Sequence, residues 1–142
     1  MQTIKIPYYR EKLDLHVEEK NLKAVVTAKM HEYNPGKNEV EIIKDALAHP
    51  IGTPKLSELA KGKKKITLVT SDHTRAVPSK ITLPILLAEI RSTNPDADIT
   101  ILVATGLHRP TTAEEQRKMF GDNIVDHEKI AVNKAFEPDQ FT

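Results

Sequence analysis

The chain has 142 residues, 39% hydrophobic and 29% charged, with 21 Lys plus Arg against 20 Asp plus Glu, for a formal charge of +1. That length suffices for a compact domain burying roughly 70% of its unfolded surface. The near balance of charge argues against nucleic acid or a membrane surface as partner, since both select a basic excess. The chain has no cysteine, which excludes disulfides, thiolate nucleophiles and Cys-ligated metal, and suits a reducing, cytoplasmic setting.

Alternating apolar residues at Ile4, Ile6 and Tyr8, and again at Leu13, Leu15 and Val17, predict an N-terminal β-hairpin turning at Arg10-Glu11-Lys12. Residues 22–30 fit a strand or a helix equally. Asn38 with Glu41 three residues later predicts a capped helix carrying Val40, Ile43, Ala46 and Leu47, ended by Pro50 and Gly52. Leu56, Leu59 and Ala60 fit a short helical turn after Pro54, with Gly62 as its stop.

Ile66-Thr67-Leu68-Val69-Thr70 is rich in β-branched residues and reads as a strand. An amphipathic helix follows from Ser79 to Ser92, its start blurred by Pro84, so that Thr82 is an alternative cap to Ser79. After the Asn94-Pro95-Asp96 turn, Ile99 to Ala104 forms a near-continuous apolar strand of the kind covered on both faces. Thr111 with Glu114 suggests a capping box opening a helix through Met119, stopped at Gly121, and Ile130-Ala131-Val132 is a further strand. The stretch from Phe136 to Thr142 is expected to form no closing element. Strand, helix, strand, helix, strand calls for an α/β fold: a Rossmann-like parallel sheet with flanking helices, preceded by the hairpin.

Ligands of open parallel sheets bind outside the carboxyl ends of the strands. Two polar clusters fall there, Asp72-His73-Thr74-Arg75 after the first parallel strand and Thr105-Gly106-Leu107-His108-Arg109 after the second. Arg75 offers a planar fork for a carboxylate or phosphate. His108 is suited to acid/base work near neutrality. Gly106 lets backbone N–H groups approach an anion, although no full phosphate-loop fingerprint is present. Asp72 can orient an imidazole, hold a ligand hydroxyl or bind a metal. His16, His31, His49 and His127 lack partners at metal-site spacing and read as structural. A phosphate- or nucleotide-binding module without catalysis remains the alternative to an enzyme. An aspartyl phosphohydrolase is disfavoured because no second carboxylate for magnesium adjoins Asp72.

The block Ser71-Asp72-His73-Thr74-Arg75-Ala76-Val77-Pro78-Ser79, followed about thirty residues later by Ala104-Thr105-Gly106-Leu107-His108-Arg109-Pro110-Thr111, closely resembles the N-terminal domain of nickel-pincer-dependent lactate racemases. The resemblance covers essentially the whole chain. It implies racemisation or epimerisation of a 2-hydroxy acid by proton abstraction and reversible hydride transfer to a nickel-pincer pyridinium mononucleotide. Carried over, His108 is one of two proton-transfer histidines and Arg75 holds the substrate. Asp72, His73, Thr74 and Arg75 match a cofactor-contacting loop, and Thr105, Gly106 and Leu107 shape the same cleft. The second histidine, the tethering lysine and the nickel ligand have no counterpart here, so the chain supplies no metal ligand. Residues 1–142 are therefore expected to be the N-terminal domain of a longer enzyme, inactive without its own C-terminal domain.

Overall fold

The computed structural model describes residues 1–137, so most of the stretch expected to lack a closing element, from Pro138 onward, lies outside the described residues. The chain divides into two compact units, Met1–Gly36 and the remainder from Lys37.

The first unit is built on the expected hairpin. Strands β1 (Gln2–Tyr8) and β2 (Glu11–Val17) pair antiparallel, with Ile4 opposite Leu15 and Ile6 opposite Leu13, so the alternating apolar residues share one face. The turn is tighter than the polar triplet suggested. Glu11 and Lys12 pair within the ladder, and Tyr9 and Arg10 make the loop. Tyr9 takes a left-handed φ of 55°, and the Arg10 guanidinium lies 5.4 Å from the centre of its ring. The ambiguous segment 22–30 resolves to neither choice: it is irregular until a single 3-10 turn at Lys29–Glu32.

The second unit opens with helix α1 (Glu39–Ala48), whose capping box is the expected one: the Asn38 side chain accepts from Glu41 N and Glu41 accepts from Asn38 N. Helix α2 (Leu56–Ala60) is the short turn before Gly62. Three strands then form a parallel sheet in the order β3 (Lys65–Ser71), β4 (Asp98–Ala104), β5 (Lys129–Val132). Helix α3 (Ser79–Thr93) joins the first two. Its N-cap is Pro78 rather than Ser79 or Thr82. Thr82 lies inside the first turns and donates its hydroxyl to the Pro78 carbonyl at 3.3 Å, and Pro84 sits within the helix.

Two helices, not one, connect β4 to β5. Helix α4 (Ala113–Phe120) starts one residue later than predicted, because Thr112 and Glu115 form the reciprocal cap. Gly121, at φ 85°, ends α4 and also begins α5 (Asp122–His127). A left-handed glycine turns the chain without a linker, so a residue read as a stop is also a start.

The core lies on one face of the sheet. Ile99, Ile101 and Val103 of β4 pack with Leu83, Leu87 and Ile90 of α3, Ala60 of α2, Phe120 of α4 and Ile124 of α5. Sequential strand order with same-handed crossovers puts both connections on that face. The expectation of a sheet covered on both faces is therefore corrected. Val69, on the opposite face of β3, is 67% exposed.

Candidate functional site

β3 and β4 pair in register to their last residues, Ser71 opposite Ala104. The two polar loops therefore leave the sheet side by side and at the same height. Strand register alone brings the two motifs together.

Asp72, the first residue beyond β3, is 2% exposed. One carboxylate oxygen accepts from the Thr74 hydroxyl at 2.7 Å and from the Thr74 backbone N–H at 3.1 Å, an Asx turn that folds the loop back on itself. The other lies 2.6 Å from His108 Nδ1. The Thr74 hydroxyl bond, assisted by the bond from His108, outweighs burial and holds the Asp72 carboxyl down at about 2. An ionised carboxylate only accepts, so His108 Nδ1 carries the proton and donates. In the neutral ring this leaves the Nε2 lone pair free. His108 remains 44% exposed, so that nitrogen is reachable.

The loop bearing His108 is fixed by its own turn, in which His108 N donates to the Thr105 carbonyl at 3.0 Å. Gly106 makes this possible with a φ of 55°, and nothing lies within 4 Å of where a Cβ would stand, so an incoming group can approach the backbone. Thr105 is buried and donates its hydroxyl to the Asn133 carbonyl at 2.9 Å, which ties the loop to the end of β5.

The two arginines separate in role. Arg109 is engaged in a bidentate pair with Glu115, at 2.9 and 2.6 Å. Arg75 is exposed, and among the described residues no carboxylate pairs with it. A cavity of about 330 Å³ is lined by Ser71, Asp72, Arg75 and the run Ala104 to His108. Arg75, His108, Gly106 and Leu107 thus converge on one cleft. His73 does not join them. Among the described residues its buried Nδ1 has no hydrogen-bond partner, and it lies 3.8 Å from Glu115 Oε2. A larger hollow of about 590 Å³ beside α1 and α3 carries two lysines, Glu89 and apolar side chains, but none of the strand-end residues.

His16 meets the Thr3 hydroxyl across the hairpin, and His49 and His127 reach carbonyls one turn back. Among the described residues no group of three His, Cys, Asp or Glu side chains is placed to hold a metal ion, and no helix is long and apolar enough to cross a membrane. Glu115 and Asn133 escaped the sequence reading. Glu115 was legible only as a capping residue, and only with the cap at Thr112.

Residues 8–142 match the family described as the lactate racemase N-terminal domain. The chain belongs to that family. It is 45% identical over 133 residues to a lactate racemase of Thermoanaerobacterium thermosaccharolyticum and 42% identical to one of Lactiplantibacillus plantarum, in each case covering 94% of this chain and 31% of the relative. The solved structure of the lactate racemase apoprotein from Thermoanaerobacterium thermosaccharolyticum superposes with a TM-score of 0.83 at 44% identity, over 94% of this chain and 30% of that one. A Thermotoga maritima protein of known crystal structure shares the fold, with a TM-score of 0.55 at 24% identity, over 70% of this chain and 22% of that one. The chain thus spans about a third of the length of the curated relatives it matches.

Proposed function

We propose that this chain supplies half of the active site of a 2-hydroxy acid racemase, with lactate as the first substrate to test. The observation that carries this reading is the Asp72–His108 pair, 2.6 Å apart, beside the exposed Arg75 guanidinium at the ends of two parallel strands. The names of the two curated relatives supply the reaction class.

In this reading Arg75 receives the substrate carboxylate on its planar fork, which sets the hydroxyl at C2 toward His108. His108 Nε2 takes the hydroxyl proton and later returns it, while Asp72 keeps the ring in the tautomer that leaves Nε2 free and stabilises the imidazolium formed. A nickel-pincer pyridinium mononucleotide, when bound, supplies the reversible hydride acceptor that inversion at C2 requires. The open backbone at Gly106 and the exposed Arg75 and Leu107 suit a nucleotide-sized anionic group lying along the cleft. Of the other positions expected to touch it, Asp72 and Thr105 already spend their side-chain oxygens inside the chain, and His73 sits beside Glu115, so their share is to shape the loops. Nickel ligands, the covalent tether and the second proton-transfer histidine are assigned to a C-terminal domain of a longer, cytoplasmic protein.

The test is turnover of D- and L-lactate, malate and longer 2-hydroxy acids by the full-length protein supplied with cofactor. Racemisation of at least one supports the reading, and no turnover of any contradicts it. This chain alone is expected to be inactive. Micromolar binding of mononucleotides by this chain in calorimetry would favour a self-contained nucleotide-binding module instead.

A further inference from the structure

We infer that Glu115 is a positioning residue whose task is to hold the Arg109 guanidinium away from Asp72, so that Asp72 remains the partner of His108. Arg109 directly follows His108, and His73 directly follows Asp72. From the first turn of α4, Glu115 meets both: it grips Arg109 through two bonds of 2.9 and 2.6 Å and stands 3.8 Å from His73 Nδ1. The same carboxylate accepts from Thr112 N at 2.9 Å, so the helix cap fixes where it points. It is only 22% exposed, and Arg109 together with the Thr112 cap holds its carboxyl far below the usual carboxylate range.

The need for such a clamp follows from charge. Arg109 adjoins His108, whose ring nitrogen lies 2.6 Å from the Asp72 carboxylate. A guanidinium bonded to a carboxylate is a stronger partner than a neutral imidazole. Released from Glu115, Arg109 would compete for the Asp72 oxygen that now accepts from His108. The His108 proton would then no longer be pinned to Nδ1, and Nε2 would lose its standing as the free base. The catalytic consequence rests on His108 being the proton-transfer group proposed above. The exchange of partners at Asp72 does not, and it is observable without turnover.

The experiment is two-bond proton–nitrogen NMR of the histidine rings in this chain at mildly alkaline pH. It compares the unaltered chain with Glu115→Gln, which keeps the capping box because glutamine also serves at that position, and with the double variant Arg109→Gln/Glu115→Gln. The unaltered chain should show His108 protonated at Nδ1 alone. Glu115→Gln should lose that signature in favour of mixed tautomers, and the double variant, which lacks the competing guanidinium, should regain it. An unchanged tautomer in Glu115→Gln would overturn the inference. So would a double variant that fails to regain the signature, whether folded or not, since Glu115 would then act only as local scaffolding.

Discussion

Replacing Thr105 by valine tests how the His108 loop is attached to the sheet. Thr105 is 2% exposed, and its hydroxyl donates to the Asn133 carbonyl at 2.9 Å, while Asn133 N donates to the Val103 carbonyl at 3.0 Å. Asn133 is thus held from both sides, and β5 is anchored where the His108 loop begins. Valine keeps the shape but strands the Asn133 carbonyl. An acceptor left unpaired away from water costs about 1–3 kcal/mol. Asn133 is only half-buried, so water recovers part of this, and we expect a loss of about 1.5 kcal/mol, roughly tenfold in the folding equilibrium. With an unfolding entropy of about 2.1 cal/mol/K per residue, this corresponds to a melting temperature lower by about 5 °C. Urea unfolding should show a lower midpoint at unchanged slope. Thr105→Ser, which retains the hydroxyl and loses a methyl group, should lie between the two. Thr105→Val as stable as the unaltered chain, or Thr105→Ser less stable than Thr105→Val, would refute the bond as the anchor.

Three other outcomes are expected. Arg75→Lys in the full-length protein keeps the charge but loses the fork and should raise KM for a 2-hydroxy acid by about tenfold or more, with a smaller change in kcat; an unchanged KM would remove Arg75 from substrate binding. Asp72 has a folded-state pKa of about 2, lowered from 3.8, so its stabilising contribution is complete above about pH 4 and fades as pH falls toward 2. Urea midpoints of the unaltered chain and Asp72→Asn should accordingly differ most near neutrality and converge in acid, and a gap that widens in acid would contradict the assignment. Gly106→Ala meets no steric obstacle, since nothing lies within 4 Å of the new Cβ, so its cost should be the left-handed backbone alone, about 1 kcal/mol by thermal unfolding; no loss at all would refute that turn.

How far the residues announce this arrangement depends on the range of the physics involved. The strand at Ile66–Thr70 and the capping box at Asn38 and Glu41 depend on local chemistry, and both stand as read. The meeting of Asp72 with His108 follows from one general property of parallel sheets, that strand ends gather loops. What stayed hidden depends on contacts far apart in the chain or on doublets. Thr111-Thr112 and Glu114-Glu115 offer two capping frames one residue apart. Only packing selects the second, which buries Thr111 and aims Glu115 at Arg109. The bond from Thr105 to Asn133 spans a whole crossover. The open face at Val69 was invisible because β4, central in the sheet, is nearly continuously apolar from Ile99 to Ala104, whereas the edge strand β3 leaves Val69 exposed.

The most direct measurement is the rate of lactate racemisation, started separately from each enantiomer, by the cofactor-loaded full-length protein carrying His108→Ala. The proposed mechanism uses one proton-transfer group for each enantiomer, so the rate is expected to fall by about 10²- to 10⁴-fold from either enantiomer, with circular dichroism and melting temperature close to those of the unaltered protein. A folded His108→Ala protein that racemises lactate at the unaltered rate would contradict the account.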